Sequence, residues 1–265
     1  MQQSYLTLLE TKLANDSRVA AAWLEGSFGR GNADRYADLD IHLLLTTEGV
    51  ADFRAGVEAW LNELRPLVLF NLLFDSQMVN ALTVDGLRVD VWLHSGDHVA
   101  LDGAKAKLIC AQPRVVTWDA VTPAKEPAQI AAGLQRQLKE FWRCISLLPS
   151  VIGRRELIIS LMGLGVEINL LGEILTTGYG VARDTGVKNL NRFLPGDTQA
   201  ALEAALNLHG LTQQSLAQAH LGLAHIAQQH GRLIAQRHGF AYPHELEAAV
   251  LRYVEAELEF IMNEK

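Results

Sequence analysis

The sequence predicts an α+β protein, with a mixed β-sheet and flanking helices in its N-terminal part and an all-α helical bundle in its C-terminal part. Three observations support this. Up to about Trp118, strand-like runs alternate with stretches of helical spacing. After the proline-containing segment 122–127, strand patterns give way to segments rich in Ala, Leu, Gln and Glu. The length of 265 residues exceeds one typical domain. We therefore expect two domains, 1–121 and 122–265.

Each element of the first part follows from its apolar spacing. A short apolar run predicts a buried strand, alternation predicts a half-buried strand, and apolar residues three or four apart predict a helix. These patterns give strands over Val19–Glu25, Asp38–Leu45 and Leu67–Phe74, and a helix over Ala51–Leu64.

Two further strands are predicted around a tight turn. The β-rich runs Met78–Val84 and Leu87–Leu93 flank Asp85-Gly86. An Asp-Gly pair between two such runs is the strongest short signal for a β-hairpin. Val115–Trp118 is predicted as a last short strand.

The second part of the chain is predicted to be helical throughout, over 128–148, 154–177, 198–207, 212–238 and 243–263. Its most apolar stretch, Leu157 to Leu175, is interrupted by Glu167, Asn169 and Glu173, which argues against a membrane span. The N-terminus lacks the basic start and apolar core of a signal peptide. Two cysteines without metal-ligand spacing fit a reducing compartment, so we expect a cytoplasmic protein.

Charge narrows the class of partner. The formal net charge is −7, whereas nucleic-acid-binding proteins usually carry a basic balance. Up to residue 121 there are 10 basic and 16 acidic residues (10 − 16 = −6), and from 122 onward there are 13 and 14 (13 − 14 = −1). We expect no nucleic-acid partner, and the acidic first half could hold metal ions.

The residues that point to chemistry begin at the end of the first predicted strand. Gly26 has no Cβ, so a ligand can approach the backbone there. The hydroxyl of Ser27 and the neighbouring N–H groups, at a predicted helix start, suit phosphate oxygens. Arg30 lies one turn further on, where its guanidinium can pair with a phosphate or simply be solvated.

Two carboxylates open the next strand. Strand periodicity places Asp38, Asp40 and His42 on one face, with the intervening apolar residues directed into the core. Neighbouring carboxylates repel each other and need a cation or a pKa shift. Oxygen ligands beside a phosphate-binding loop suit Mg²⁺.

The hairpin supplies a third carboxylate. Asp90 shares a strand face with Arg88 and Trp92, in the middle of an otherwise apolar pattern. If the hairpin lies beside the strand that carries Asp38 and Asp40, Asp90 joins them. Three carboxylates can hold two divalent ions and activate a hydroxyl for in-line attack on phosphorus. The alternative is a salt bridge from Asp90 to Arg88 or another exposed partner.

The order Gly-Ser-Phe-Gly-Arg-Gly, a spacer, Asp-Leu-Asp on a strand and a later strand Asp resembles the nucleotidyltransferase superfamily with the DNA polymerase β-type fold. Length and the helical second part are similar to its antibiotic-inactivating members, the kanamycin and lincosamide enzymes. The resemblance implies that Gly26, Ser27 and Arg30 bind the triphosphate. It also implies that Asp38, Asp40 and Asp90 hold two Mg²⁺ ions, and that Asp90 is a metal ligand, the general base, or both.

The resemblance implies transfer of a nucleoside monophosphate, AMP from ATP by preference, to a hydroxyl of a small molecule such as a lincosamide or aminoglycoside antibiotic. The near-neutral second half favours the less charged lincosamide. Relatives of this kind are often homodimers. One alternative is an antitoxin-type nucleotidyltransferase that modifies or binds a partner protein, and another is an inactive nucleotide-binding module.

One carboxylate of the helical part is also a candidate. Glu167 lies in the most apolar stretch of the chain, bracketed by Val166 and Ile168. It is predicted either to line the acceptor site, where it could serve as the base instead of Asp90, or to belong to a solvated stripe of the helix.

Overall fold

The computed structural model describes residues 1–120, 125–181 and 190–263. The chain divides into two compact units, Met1–Pro123 and Ala124–Lys265. The boundary between 121 and 122 that the sequence suggests falls in 121–124, outside the described residues. The α+β class predicted from the sequence is confirmed, with a mixed sheet in the first unit and helices in the second.

The first unit alternates helices and strands as the sequence patterns indicate. Its elements are α1 (Gln2–Leu13), β1 (Val19–Leu24), α2 (Gly26–Gly29), β2 (Leu39–Leu45), α3 (Val50–Leu64), β3 (Leu67–Leu73), β4 (Met78–Thr83), β5 (Arg88–Ser95), β6 (Val99–Ala100), β7 (Lys107–Ala111) and β8 (Val116–Thr117).

Six of these strands form one sheet in the order β3-β4-β5-β2-β1-β7, and β6 pairs with β8 in a separate two-stranded sheet. Neighbouring strands in the large sheet are antiparallel except for β2 and β5, which run parallel. The predicted strand over Val115–Trp118 is β8. The sequence patterns did not indicate β7, which pairs with the outer edge of β1.

One face of the sheet packs into the larger hydrophobic core, and the other carries polar side chains beside a smaller buried cluster that includes Trp23 and Leu44. On β2, Leu39, Ile41 and Leu43 are fully buried and belong to the core that α1 and α3 cover. The alternate residues Asp40 and His42 are only partly buried. This alternation places the polar side chains of β2 on the opposite face, as strand periodicity predicts.

The second unit is built from α4 (Pro127–Ile145), α5 (Leu148–Gly153), α6 (Leu157–Gly178), α7 (Gly196–Ala205), α8 (Gln213–His238) and α9 (His244–Asn263). The predicted helix over 154–177 begins three residues later, because Arg155 adopts a left-handed φ of 57° between α5 and α6. Helix α8 begins where the Thr212 side chain accepts from the N–H of Ser215, and it ends at Gly239 in the left-handed conformation.

Helix α6 is the most apolar helix of this unit. Among the described residues it is the one helix long and apolar enough to cross a membrane, with a mean hydropathy of 1.7 in its most apolar window, of which 33% is buried. Core helices of soluble proteins share this length and composition. Leu164, Leu171 and Ile174 on α6 are buried in the core of the helical unit.

Candidate active site

Asp40 and Asp90 lie side by side on the face of the sheet opposite the larger core. Strands β2 and β5 pair in parallel, and the register places Asp40 directly opposite Asp90. Adjacent strands are about 4.8 Å apart, so the two carboxylates share one small region. The predicted placement of the hairpin beside β2 is thus what the structure shows.

Asp38 immediately precedes β2, two residues before Asp40. Its carboxylate oxygen Oδ2 is 3.8 Å from Nη2 of Arg88, at the start of β5. The sequence suggested Arg88 as an alternative partner for Asp90, but the side chain lies near Asp38 instead. Arg88 therefore brings a positive charge to the end of the site where β2 begins.

The partner of Asp90 is Asn80, which the sequence analysis did not identify. Asn80 lies opposite Asp90 across the β4–β5 hairpin, and its side-chain amide donates a hydrogen bond of 2.6 Å to Asp90 Oδ1. A two-residue turn at Asp85-Gly86 would pair Asp90 with Ala81, so the turn alone did not predict this contact. The loop spans three residues instead, since the N–H of Thr83 donates to the oxygen of Leu87. The bond from Asn80 fixes the orientation of the Asp90 carboxylate.

The turn after β1 packs directly against Asp40. The N–H of Glu25 donates to the backbone oxygen of Asp40 at 3.0 Å, and Gly26 follows with a φ of +57°. A Cβ on Gly26 would lie 1.8 Å from Asp40 Oδ2. Only glycine fits there, both because of the left-handed backbone and because the carboxylate occupies the space that a side chain would need.

Ser27 presents a polar atom that lacks a protein partner. Its Oγ is buried, and among the described residues it makes no hydrogen bond. Buried hydroxyls are nearly always hydrogen-bonded, so an orphaned one beside a glycine turn suits a ligand oxygen. Arg30 follows at the end of the one-turn helix α2, where its N–H bonds to the Gly26 oxygen at 3.2 Å.

The donor set fits Mg²⁺ bound together with a polyphosphate. Among residues 1–120, 125–181 and 190–263, no three His, Cys, Asp or Glu side chains are arranged to hold a metal by themselves. Mg²⁺ is commonly held by one or two carboxylates, with phosphate oxygens and waters completing its coordination. The adjacent pair Asp40 and Asp90, next to the orphaned Ser27 hydroxyl, matches that pattern.

A row of stacked rings extends across the same sheet face. His42 stacks on Trp23 and Trp92 with ring centroids 5.2 and 6.1 Å apart, and Phe74 stacks on Trp92 at 5.8 Å. Nδ1 of His42 is 2.9 Å from Nε2 of His94. Burial lowers the pKa of His42 and of His94, so both imidazoles are neutral near pH 7 and add no positive charge beside the carboxylates.

Glu167 is buried within the helical unit, with 2% of its surface exposed. Its Oε2 is 2.7 Å from Nδ1 of His220, and Nε2 of His220 is 3.0 Å from Oγ of Ser160. Burial raises the pKa of the Glu167 carboxyl, and the contact with His220 opposes that rise. The solvated stripe that the sequence allowed is therefore wrong for Glu167, while its contact with an acceptor stays a prediction.

The close contact between Gly26 and Asp40 gives a direct test of the turn. Gly26→Ala is expected to lower the free energy of unfolding by more than the roughly 1–2 kcal/mol of a left-handed alanine, because Asp40 must also move. Gly31→Ala is the matched control, since Gly31 has a φ of +70° and nothing within 4 Å of an added Cβ. Urea denaturation of both variants measures the difference, and equal losses would show that the Asp40 contact is unimportant.

The buried Glu167 carboxyl makes stability depend on pH in a defined direction. Because its folded-state pKa is raised above the ordinary value of 4.5, the folded chain holds this proton more tightly than the unfolded chain. The associated stability is full below pH 4.5 and is lost as the pH rises through the folded-state pKa. Urea denaturation at a series of pH values measures the unfolding free energies of the wild type and of Glu167→Gln. We expect the difference, wild type minus variant, to decrease as the pH rises through this range. Glu259→Gln, which changes an exposed carboxyl on α9, is the control.

No protein-family model matches the chain, and no curated protein matches it. Among solved structures, it is similar to an aminoglycoside 6-adenyltransferase from Bacillus subtilis, with 15% identity and a TM-score of 0.47 over 97% of this chain and 98% of that one. It is also similar to a nucleotidyltransferase-like protein from Exiguobacterium sibiricum 255-15, with 12% identity and a TM-score of 0.38 over 99% and 90% of the two chains.

Proposed function

We propose that this protein is a Mg²⁺-dependent nucleotidyltransferase that transfers a nucleoside monophosphate, preferably AMP from ATP, to a hydroxyl of a small molecule. The observation that carries the proposal is the parallel register of Asp40 and Asp90, with Gly26 packed against Asp40. Two adjacent carboxylates beside a glycine turn form a site in which a triphosphate and divalent cations can be held together.

The turn after β1 binds the phosphates in this proposal. The Ser27 hydroxyl, which is buried without a protein partner, donates to a phosphate oxygen. Arg30, one turn later, contributes a positive charge that stabilises the departing pyrophosphate.

Asp38, Asp40 and Asp90 would hold two Mg²⁺ ions. When bound, Mg²⁺ neutralises charge on the triphosphate and favours the deprotonated form of the attacking hydroxyl. Asp90 accepts the proton from the acceptor's hydroxyl oxygen, while the amide of Asn80 keeps the carboxylate oriented. The oxygen then forms its bond to the α-phosphorus as the bond to pyrophosphate breaks in line.

The helical unit is the part that we assign to the acceptor. Its near-neutral charge favours a weakly charged antibiotic such as a lincosamide over an aminoglycoside, because a polycation would favour an acidic pocket. Glu167, which the sequence suggested as an acceptor-site carboxylate, is buried against His220 and stays a candidate for that site. A supply of ATP and reduced cysteines agrees with a cytoplasmic location.

The test has one arm for the nucleotide and one for the acceptor. Calorimetry with each nucleoside triphosphate, with and without Mg²⁺, is expected to give Mg²⁺-dependent binding, and its absence would overturn the proposal. Incubation with a panel of lincosamides and aminoglycosides is expected to release pyrophosphate and increase one antibiotic's mass by a nucleoside monophosphate. Binding of triphosphate without transfer, together with a stable partner protein in a pull-down, would favour the antitoxin-type alternative.

A further inference from the structure

Strands β3 and β4 continue the row of polar residues that contains the candidate carboxylates. Asn71 on β3 lies directly opposite Asn80 on β4. Asn80 in turn lies opposite Asp90, which lies opposite Asp40. Residues paired in this way point to the same face of a sheet, and neighbouring strands are about 4.8 Å apart. Asn71 is therefore in line with Asp90 on the same face, roughly 10 Å away.

The positions on either side of Asn71 are apolar and reach solvent. Leu69 and Leu73 are 42% and 41% exposed. They alternate along β3 with Phe70, which packs against the larger core, so they lie on the face that carries Asp90. Their partners on β4 are partly buried apolar residues. We name this surface the β3–β4 face; it consists of Leu69, Asn71, Leu73, Met78, Asn80 and Leu82.

An exposed aromatic ring lies at one end of the β3–β4 face. Phe74 follows β3 and is 64% exposed, and its ring stacks on Trp92 with centroids 5.8 Å apart and planes 11° apart. Trp92 lies two residues from Asp90, on the same side of β5. Phe74, Asp75 and Ser76 have left-handed φ values of 50°, 51° and 64°. Such backbone is unfavourable for these residue types and persists most often at functional sites, so the turn holds the ring against Trp92 at an energetic cost.

The β3–β4 face carries no charged side chain. Its members are two amides and four apolar groups, and the acidic part of the row ends at Asp90. A polycation would need anionic partners along its length, whereas a weakly charged ring compound needs apolar surface and a few hydrogen bonds. The composition of the face therefore favours an amphiphilic ligand.

We propose that the β3–β4 face binds the acceptor, and that the acceptor is a weakly charged molecule with an apolar substituent within about 10 Å of its reacting hydroxyl. The inference rests on the proposed function, because Asp90 as the base places that hydroxyl at one end of the face. Leu73 and Phe74 contact the apolar substituent, and the amide of Asn71 hydrogen-bonds a second polar group of the acceptor. These contacts add to those that we assign to the helical unit.

Direct binding of two antibiotics to the full chain tests the inference. Lincomycin carries sugar hydroxyls, an alkyl substituent and a single amine, whereas kanamycin is a polycation. Calorimetry is carried out with Mg²⁺ and adenosine 5′-(α,β-methylene)triphosphate, an ATP analogue from which the nucleotide cannot be transferred. We expect lincomycin to bind roughly tenfold more tightly than kanamycin or better.

Leu73→Ala and Leu72→Ala form a matched pair on one strand. Leu73 belongs to the β3–β4 face, whereas Leu72, which is 44% exposed and pairs with the buried Val79, lies on the opposite face. We expect Leu73→Ala to raise the dissociation constant of lincomycin by roughly 3–10-fold, because apolar contact area is lost, and Leu72→Ala to leave it unchanged. Asn71→Ala is expected to raise it by about the same factor through loss of a hydrogen bond.

Phe74→Asn removes the ring and relieves the turn at the same position. Asparagine tolerates a φ of 50° better than phenylalanine does, so thermal unfolding should show a stably folded variant. We expect the dissociation constant of lincomycin to rise by roughly 3–10-fold, the scale on which one aromatic contact acts. If Phe74 has only a structural role, the unfolding temperature changes and the affinity for lincomycin does not.

Each outcome of the series decides for or against the inference. Weaker lincomycin binding in Asn71→Ala, Leu73→Ala and Phe74→Asn, with normal binding in Leu72→Ala, supports it. Lincomycin that does not bind, that binds more weakly than kanamycin, or that binds every variant equally would overturn it, as would equal losses in Leu72→Ala and Leu73→Ala. Mg²⁺-dependent binding of the ATP analogue, measured on the same samples, tests the proposed function separately. Normal binding of the analogue without binding of lincomycin would reject only the assignment of the acceptor.

Discussion

Asp40→Asn is expected to reduce nucleotidyl transfer by at least about 10²-fold, the scale on which loss of one electrostatic stabiliser acts in an enzyme. The side chain keeps its shape against Gly26 but no longer supplies the charge that would hold Mg²⁺ beside Asp90. The fold is expected to be at least as stable, because removing one of two adjacent carboxylates relieves their repulsion in the metal-free chain. Asp38→Asn is expected to act in the same direction.

Pyrophosphate release with a saturating acceptor measures this loss, and urea denaturation measures the stability. Titration with Mn²⁺, followed by its electron paramagnetic resonance signal, reports metal binding directly. Asp75→Asn is the matched control, because Asp75 is an exposed carboxylate of the same unit with a φ of 51°, which asparagine tolerates. Near-normal turnover in Asp40→Asn would show that Asp40 is not a required metal ligand.

Asp90→Asn is expected to lower turnover by about 10²–10⁴-fold, the range found when a general base is lost. Binding of the triphosphate should change much less, since Asp38 and Asp40 still supply two carboxylates. The substitution keeps the size of the side chain, so the strand pairing of β5 with β2 and β4 is preserved. Turnover and triphosphate affinity are measured on the same preparation.

Glu167→Gln, tested in parallel, separates the two candidate bases. Glu167 is buried in contact with His220, which indicates a structural role. We therefore expect Glu167→Gln to transfer nucleotide at a near-normal rate. A large loss in Glu167→Gln with a near-normal rate in Asp90→Asn would move the base into the helical unit. Large losses in both would require the stability of Glu167→Gln to be compared with that of the wild type.

Much of the candidate site could be predicted because its parts are local in sequence. Alternation along β2 separates Leu39 and Ile41 from Asp40, and the Asp85-Gly86 turn defines the β4–β5 hairpin. Because alternate side chains of a strand point to opposite faces of the sheet, predicting the strands also predicted the face on which Asp40 and Asp90 lie. What the pattern alone could not supply was the pairing of β5 with β2, on which the contact of Asp40 with Asp90 depends.

Other features depend on tertiary contacts that have no local signature. The strand β7 carries no clear alternation, and its pairing with β1 arises from the sheet as a whole. The neutral pair His42 and His94 forms because two strands meet. Similarly, a glutamate on an apolar helix indicates that a partner is needed, but only the packing of α6 on α8 identifies that partner as His220.

The parallel pairing of β2 with β5 has a consequence for when the candidate site forms during folding. Asp40 and Asp90 are far apart along the chain, and parallel strands cannot be joined by a tight turn. The hairpin β4–β5 can form early from nearby residues, but the two carboxylates meet only after a long loop has closed. In refolding experiments, therefore, Mn²⁺ binding should recover after the β4–β5 hairpin has formed. Mn²⁺ binding then reports that the native pairing of β2 with β5 is complete.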